Sequence, residues 1–381
     1  MPLNRERLRK GRLDKIQRMM RRDGYDALIL SYVDDVRYAT DYPIQFHTDG
    51  LADRYAAVVA QTGDPMVLAP VASGGDPLEP VVKEFPVLAA GVIEARWWAR
   101  SLKKALDQIG ALKGKIGVDY LPYPIYYELK PLLERASITP IVKEVFEARM
   151  IKLADEVELM RRTCRIADDA MQTAIASLKP GMTQKELSAL ILHEIALHGV
   201  AAFPFMPYII SGTNFSNAIP TSRKIERGDV VHIDFACWSE DGYICDFGRS
   251  GVLGRATGKK KEMLEGLYEV MRTTGKAIKP GLKSSKLDDI VRSAAREVGY
   301  PHVHEAAIGH GIGMRTNELP WIAQAKVTTT DYTIAENMTI NIEPLAAKEG
   351  VGSASIENVF LVNSGGNEIL TKTDYEPFGL D

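Results

Sequence analysis

Residues 228–250 read GDVVHIDFACWSEDGYICDFGRS, in which two apolar runs, DVVHIDF (229–235) and YICDFGRS (243–250), flank the turn SEDG (239–242). Apolar runs joined through an Asp-Gly turn predict a β-hairpin with Asp234 on one arm and Asp246 on the other. Later in the chain, MTINIEP (338–344) and ASIENVFLV (354–362) flank AAKEGVGS (346–353), with Glu343 and Glu357 in corresponding places. Each stretch follows a helical region, beginning for the first with DEVELMRRTCRIADDAMQTAIASL (155–178). Lys179-Pro180-Gly181 recurs as Lys279-Pro280-Gly281, Leu187 as Leu287 and Gly199 as Gly299, all at one offset of one hundred residues. We read an internal duplication in which each half contributes two helices and then strands. A pseudo-twofold arrangement brings the hairpins face to face and gathers four acids in one cavity.

Four ionised carboxylates repel strongly in a partly buried cavity, so something positive is expected among them. Asp234 in VVHIDF and Glu343 in MTINIEP are surrounded by apolar residues, and a buried acid needs a partner. A pair of divalent cations meets that need. His310, in Ile308-Gly309-His310-Gly311-Ile312-Gly313, offers a fifth ligand, and its glycines allow close backbone approach. Oxygen donors with one imidazole suit Mn, Fe, Co or Zn. The lack of a thiolate cluster disfavours a structural zinc site.

The contexts GDVVHIDF, DGYICDFGRS, GHGIGM, INIEP and SIEN, carrying Asp234, Asp246, His310, Glu343 and Glu357, resemble the creatinase, aminopeptidase P, prolidase and methionine aminopeptidase superfamily. The resemblance covers roughly 150–381 and implies an α+β, pseudo-twofold pita-bread catalytic domain. It implies a dinuclear metal centre holding a bridging hydroxide that attacks an amide-like carbon. By the same resemblance Asp234 binds one metal, Asp246 and Glu357 bridge both, and His310 and Glu343 complete the shell. Glu343 also resembles the family acid that moves a proton between the water and the leaving nitrogen.

The chain departs from the peptidase pattern at three positions. Asn217, ahead of Pro220 in NAIPTSRKI, and Asn317, in GHGIGMRTNELP, stand where peptidase members carry histidines. Asparagine hydrogen-bonds but exchanges no proton near neutral pH, so both residues are assigned to orienting substrate. Ser355 stands where many Xaa-Pro peptidases place an arginine. The Asp234 to Asp246 spacing of twelve is one residue longer than is usual, which the hairpin tip absorbs. These departures favour a specialised hydrolase cleaving a carbon–nitrogen bond in a small compound of the creatine or ectoine kind. The alternatives are an Xaa-Pro dipeptidase or aminopeptidase, a dimethylsulfoniopropionate lyase-like enzyme, and a non-catalytic binding module.

Residues near the ligands in sequence add weaker candidates. Trp238, Tyr243, Arg315 and Trp321 are read as lining a substrate pocket, weighed against a core role for the aromatics. His232 shares a strand face with Asp234 and is a candidate contact to substrate or metal, weighed against a hydrogen-bonded structural histidine. Cys237 and Cys245 fall on the opposite face. His302 and His304 show no metal spacing. Phe46 and His47, after Tyr42-Pro43, are read as reaching a neighbouring active site in a homodimer, as happens in the family.

Ahead of this region, ALILSY (27–32), YAAVVAQ (55–61), PMVLAP (65–70) and KIGVDY (115–120) read as strands. Helical patterns at 5–22, 98–109 and 126–135 complete an α/β, creatinase-like N-terminal domain over 1–147, with the catalytic domain over 148–381. The Arg and Lys residues of 5–22 are read as a solvated face. The chain's 381 residues carry 47 Lys plus Arg against 50 Asp plus Glu, a net charge of −3, which argues against nucleic acid. No apolar run reaches the roughly 18 residues of a membrane span, and three cysteines suit a reducing compartment, so a cytoplasmic protein with free thiols is expected.

Overall fold

The computed structural model describes residues 3–42, 55–68, 95–202, 204–213, 219–302 and 306–380, which fall into two compact units, Met1–Arg149 and Met150–Asp381. Phe46, His47, Asn217 and His304 lie outside the described residues.

The first unit runs α1 (Arg5–Asp23), β1 (Ala27–Leu30), α2 (Val33–Thr40), β2 (Ala56–Ala60), β3 (Met66–Leu68), α3 (Ala95–Gln108), β4 (Lys115–Val118), α4 (Tyr123–Leu129), β5 (Ser137–Pro140) and α5 (Val142–Met150). Its sheet has the order β3-β2-β1-β4-β5, with β1 parallel to β4 and antiparallel to β2. Apolar residues of the sheet, including Ile29, Val58 and Ile116, pack with Leu102 and Leu106 of α3. Helix α1 starts where Asn4 accepts from the Arg7 amide and ends at Gly24, whose φ of 72° favours glycine. Not all of its basic residues face solvent. Arg12 is fully buried against Asp41 at 3.2 Å and Arg9 is buried against Asp64 at 2.7 Å, so acids from later segments turn part of the basic face inward.

The second unit contains the duplication. Helices α6 (Ala154–Ser177) and α7 (Gln184–Leu197) precede β6 (Val200–Ala202), β7 (Tyr208–Ser211), β8 (Val230–Ser239) and β9 (Ile244–Val252). Helices α8 (Gly258–Ala277) and α9 (Ser284–Glu297) precede β10 (Ala307–Gly311), β11 (Glu318–Ala323), β12 (Thr339–Ile342), β13 (Leu345–Lys348), β14 (Gly352–Ser355), β15 (Asn358–Asn363) and β16 (Gly366–Ile369). The turns between the helix pairs match: Gly181 and Gly281 have φ of 89° and 90°, and their amides donate to the carbonyls of Ile225 and Ile334. Strand β8 carries β9 along one edge and β7 and β6 along the other. The second sheet has the order β11-β10-β12-β15-β16. The two halves differ at the hairpins. In the second, the intervening residues form their own ladder, β13 with β14, so β12 and β15 pair only over Thr339–Ile342 and Asn358–Leu361. Among the described residues, no helix is long and apolar enough to cross a membrane.

Candidate metal centre

The register of β8 and β9 places the first two acids. Asp234 pairs with Gly248 and Asp246 with Ala236, so the two carboxylates sit diagonally on one face with His232, separated by a residue that has no side chain. The reverse face is apolar and buried, with Phe235 and Phe247 packed edge to face at 5.5 Å. Cys237 and Cys245 pair across this face and are free, as is Cys164 of α6, and all three are buried.

The other half supplies His310, Glu343 and Glu357. His310 lies on β10 opposite Asn341, and its neighbours Gly309 and Gly311 approach the adjacent strands so closely that a Cβ would collide with the carbonyls of Asn341 and Leu319. Glu343 and Glu357 flank the Ile342–Asn358 pair at the end of the β12–β15 ladder. Both lie just beyond the last paired residues, whereas Asp234 and Asp246 lie within a ladder, offset by two positions. The Nδ1 of His310 is 3.0 Å from the carbonyl of Gly311. A carbonyl only accepts, so Nδ1 carries the proton and Nε2 keeps a lone pair for a cation. That Nε2 is 3.4 Å from Glu343 Oε1.

Ligand atoms of Asp246, His310 and Glu357 all lie within 4.8 Å of one another, and all three residues are buried. Asp234 is intermediate in burial, yet its Oδ1 is buried and has no hydrogen-bond partner. The Glu343 side chain is 40% exposed and stands at the rim. Burial first, and the Glu343 charge second, push Asp234 up to about 8. Burial and the neighbouring carboxylates push Asp246 and Glu357 well above the usual carboxylate range. Such a cluster is poor as a set of bare anions and well suited to divalent cations. The orphaned Asp234 oxygen and the free His310 lone pair fit that reading, and Asp234, Asp246, His310, Glu343 and Glu357 would hold the ions.

The model for metallopeptidase family M24 matches residues 158–364, and that for the creatinase/prolidase N-terminal domain matches residues 12–151. The chain belongs to metallopeptidase family M24. An Xaa-Pro dipeptidase of Pyrococcus horikoshii is 31% identical over 278 residues, covering 72% of this chain and 76% of that protein. The prolidase structure from Pyrococcus horikoshii OT3 aligns at TM-score 0.79 and 25% identity, over 96% of this chain and 99% of that one. An Xaa-Pro dipeptidase from Bacillus anthracis shares the fold at TM-score 0.81 and 22% identity, over 97% and 99% of the two chains. The second unit of this M24 chain is thus a pita-bread domain, and an N-terminal creatinase/prolidase domain precedes it.

The substrate candidates divide. Tyr243 is fully buried and its hydroxyl donates to Glu156 Oε1 at 2.8 Å, so it is a core residue and not a pocket wall. Trp238 donates its indole N–H to the Met314 carbonyl at 3.0 Å, tying the hairpin to the loop after β10. The Arg315 amide donates to Glu318 Oε1 at 3.0 Å, and Asn317 in the same loop is exposed. Trp321 is 38% exposed and meets the His310 ring edge to face at 6.1 Å. Ser355 is buried, its hydroxyl donating to the Pro344 carbonyl at 3.0 Å. His232 is buried, with neither ring nitrogen hydrogen-bonded, and burial pushes its pKa down to about 4.

Sequence reasoning missed two supports of this M24 site. Asn341 donates its side-chain amide to Glu357 Oε1. It lies two residues before Glu343 in the quoted MTINIEP, so strand alternation alone could have placed it on the acid face. Arg249, in the quoted CDFGRS, is buried and donates to the carbonyls of Gly248 at 2.9 Å, Glu357 at 2.6 Å and Thr373 at 2.7 Å, and to Asn358 Oδ1 at 2.9 Å. No sequence signal distinguishes this clamp from a surface arginine.

Proposed function

We propose that this chain is a metal-dependent peptidase that hydrolyses Xaa-Pro dipeptides, with Asp234, Asp246, His310, Glu343 and Glu357 holding two divalent ions of the Mn, Fe, Co or Zn class. The observation that carries it is the convergence of Asp246, His310 and Glu357 within 4.8 Å, from both halves of the duplication. When bound, the ions supply Lewis acidity, polarising the scissile carbonyl and acidifying the attacking water. The chain supplies the rest. His310 is locked by its Nδ1–H bond to Gly311, and Glu357 is pinned by Asn341, so the donors are set before substrate arrives. Glu343, half-exposed at the rim beside His310, is placed to take a proton from the water and deliver it to the leaving nitrogen.

The similarity to an Xaa-Pro dipeptidase over three quarters of that protein favours proline-containing dipeptides over the small nitrogen compounds suggested by Asn217, Asn317 and Ser355. Asn317 is exposed in the loop before β11, and the cluster of Asp246, His310 and Glu357 forms without an imidazole at that position. One observation favours a small amide instead: Ser355 is buried and bonded to Pro344, and puts no cationic group beside the site. A panel of Xaa-Pro dipeptides, creatine-like and ectoine-like amides and dimethylsulfoniopropionate separates the readings in manganese-loaded enzyme. Proline release is expected. Turnover confined to a small amide, or dimethyl sulfide release, would overturn the dipeptidase assignment.

A further inference from the structure

His232 is the one residue on the acid-bearing face of β8 whose polar atoms have no use in the arrangement described so far. Its side chain is 95% removed from solvent, at 5% exposure, and neither Nδ1 nor Nε2 has a hydrogen-bond partner. A neutral imidazole carries one N–H donor and one lone pair, and enclosing both without partners is unfavourable unless something enters to meet them. What lies beside the ring is set by the hairpin register. His232 is followed two residues later by Asp234, whose cross-strand partner is Gly248. A Cβ added at Gly248 would sit 3.5 Å from His232 Nε2 and 3.4 Å from Glu357 Oε2. The missing side chain thus leaves a notch bordered by both the imidazole and the carboxylate.

The two oxygens of Glu357 are not equivalent. Oε1 accepts from the Asn341 amide, whereas Oε2 faces the notch. A carboxylate that holds a cation must be deprotonated, and then both oxygens only accept.

We propose that His232 is a positioning residue of the metal centre: in the loaded chain its Nε2–H donates across the Gly248 notch to Glu357 Oε2, bracing that carboxylate opposite Asn341. Asn341 and His232 come from different halves of the duplication, so Glu357 is held from both sides by side chains that are not themselves ligands. Residues that orient ligands in this way tune affinity without touching the ion. The glycine at position 248 is part of the device, because a Cβ there would lie in contact with both groups and fill the notch.

The inference rests on the metal-centre reading of the function, and the experiment separates the two. The metal-free full-length chain is titrated with Co(II), recording stoichiometry, affinity by chelator competition and the visible absorption band, for wild type, His232→Ala, His232→Gln and Gly248→Ala. His232→Ala is expected to weaken Co(II) binding by about 10- to 100-fold and to shift the band, as expected for loss of a ligand's hydrogen-bond partner. His232→Gln, which restores an N–H donor, is expected to recover most of that loss. Gly248→Ala keeps the imidazole but fills the notch, and is expected to reproduce the His232→Ala effect. Wild-type affinity and spectrum in both His232→Ala and Gly248→Ala would overturn the inference while leaving the metal centre standing, even if KM for a dipeptide changed. A wild-type chain that binds no Co(II) would overturn both.

Discussion

Among single residues, Glu343 is distinguished by combining exposure with contact. Asp246, His310 and Glu357 are at most 5% exposed, whereas the Glu343 side chain is 40% exposed and its carboxylate is 3.4 Å from the His310 imidazole. A proton carrier has to reach both the interior and the arriving substrate, which Glu343 is better placed to do than the buried Asp246 and Glu357. Glu343→Gln keeps size and oxygen donation but removes proton transfer. It is expected to lower kcat by about 10²- to 10⁴-fold with an unchanged melting temperature. A kcat within about tenfold of wild type would remove Glu343 from that role. The grouping of Asp246, His310 and Glu357 was legible because each sits in or beside an apolar run with turn signals nearby. Tyr243 was misplaced for a physical reason: its sequence neighbours the ligands, but its partner, Glu156, lies 87 residues earlier on α6. Nothing in a linear pattern announces a contact of that range.

Elements explain how the candidate ligands converge from both halves of the duplication. The β8–β9 hairpin was readable from its alternation and its Asp-Gly turn. The second hairpin was only half readable, because residues that look like a loop join the ladder of Leu345–Lys348 with Gly352–Ser355, leaving Glu343 and Glu357 just beyond the end of the β12–β15 ladder. The close approach of β10 to its neighbours depends on glycine. Gly309→Ala would drive a methyl group into the Asn341 carbonyl, on the strand that carries both Asn341 and the approach to Glu343. Thermal unfolding is expected to show a loss of about 1–3 kcal/mol, as for other overpacked positions, together with weaker metal binding. A variant with wild-type melting and metal affinity would show that β10 has slack the packing does not indicate. Arg249 acts at the same scale, joining β9 to the Glu357 and Thr373 carbonyls. Arg249→Lys keeps the charge but not the planar fork, and is expected to cost about 2–3 kcal/mol by leaving buried carbonyls unsatisfied. Denaturant titration at fixed metal concentration measures it, and a difference under about 0.5 kcal/mol would contradict the clamp.

At the scale of the whole molecule, the gathered acids link stability to pH and metal. Burial and mutual repulsion push Asp234 up to about 8 and hold Asp246 and Glu357 well above the ordinary carboxylate value near 4. Between these values the folded chain keeps protons that the unfolded chain has released. The stability these groups contribute is therefore fully present below about pH 4 and is lost as pH rises towards about 8. Chelator-treated protein is expected to melt progressively lower from pH 5 to pH 8, and protein saturated with Mn(II) to lose that trend. A melting temperature that is flat or rising with pH in chelator would count against the cluster. The duplication that builds the cluster was legible from one repeated offset, and the φ of 89° and 90° at Gly181 and Gly281 explain why glycine recurs at that position. The most direct test is elemental analysis of the full-length chain reconstituted with Mn(II), comparing wild type with Asp246→Asn. About two ions per wild-type chain and fewer than about one in the variant are expected. A wild-type chain without stoichiometric metal, or a variant that retains its full complement, would contradict the shared centre.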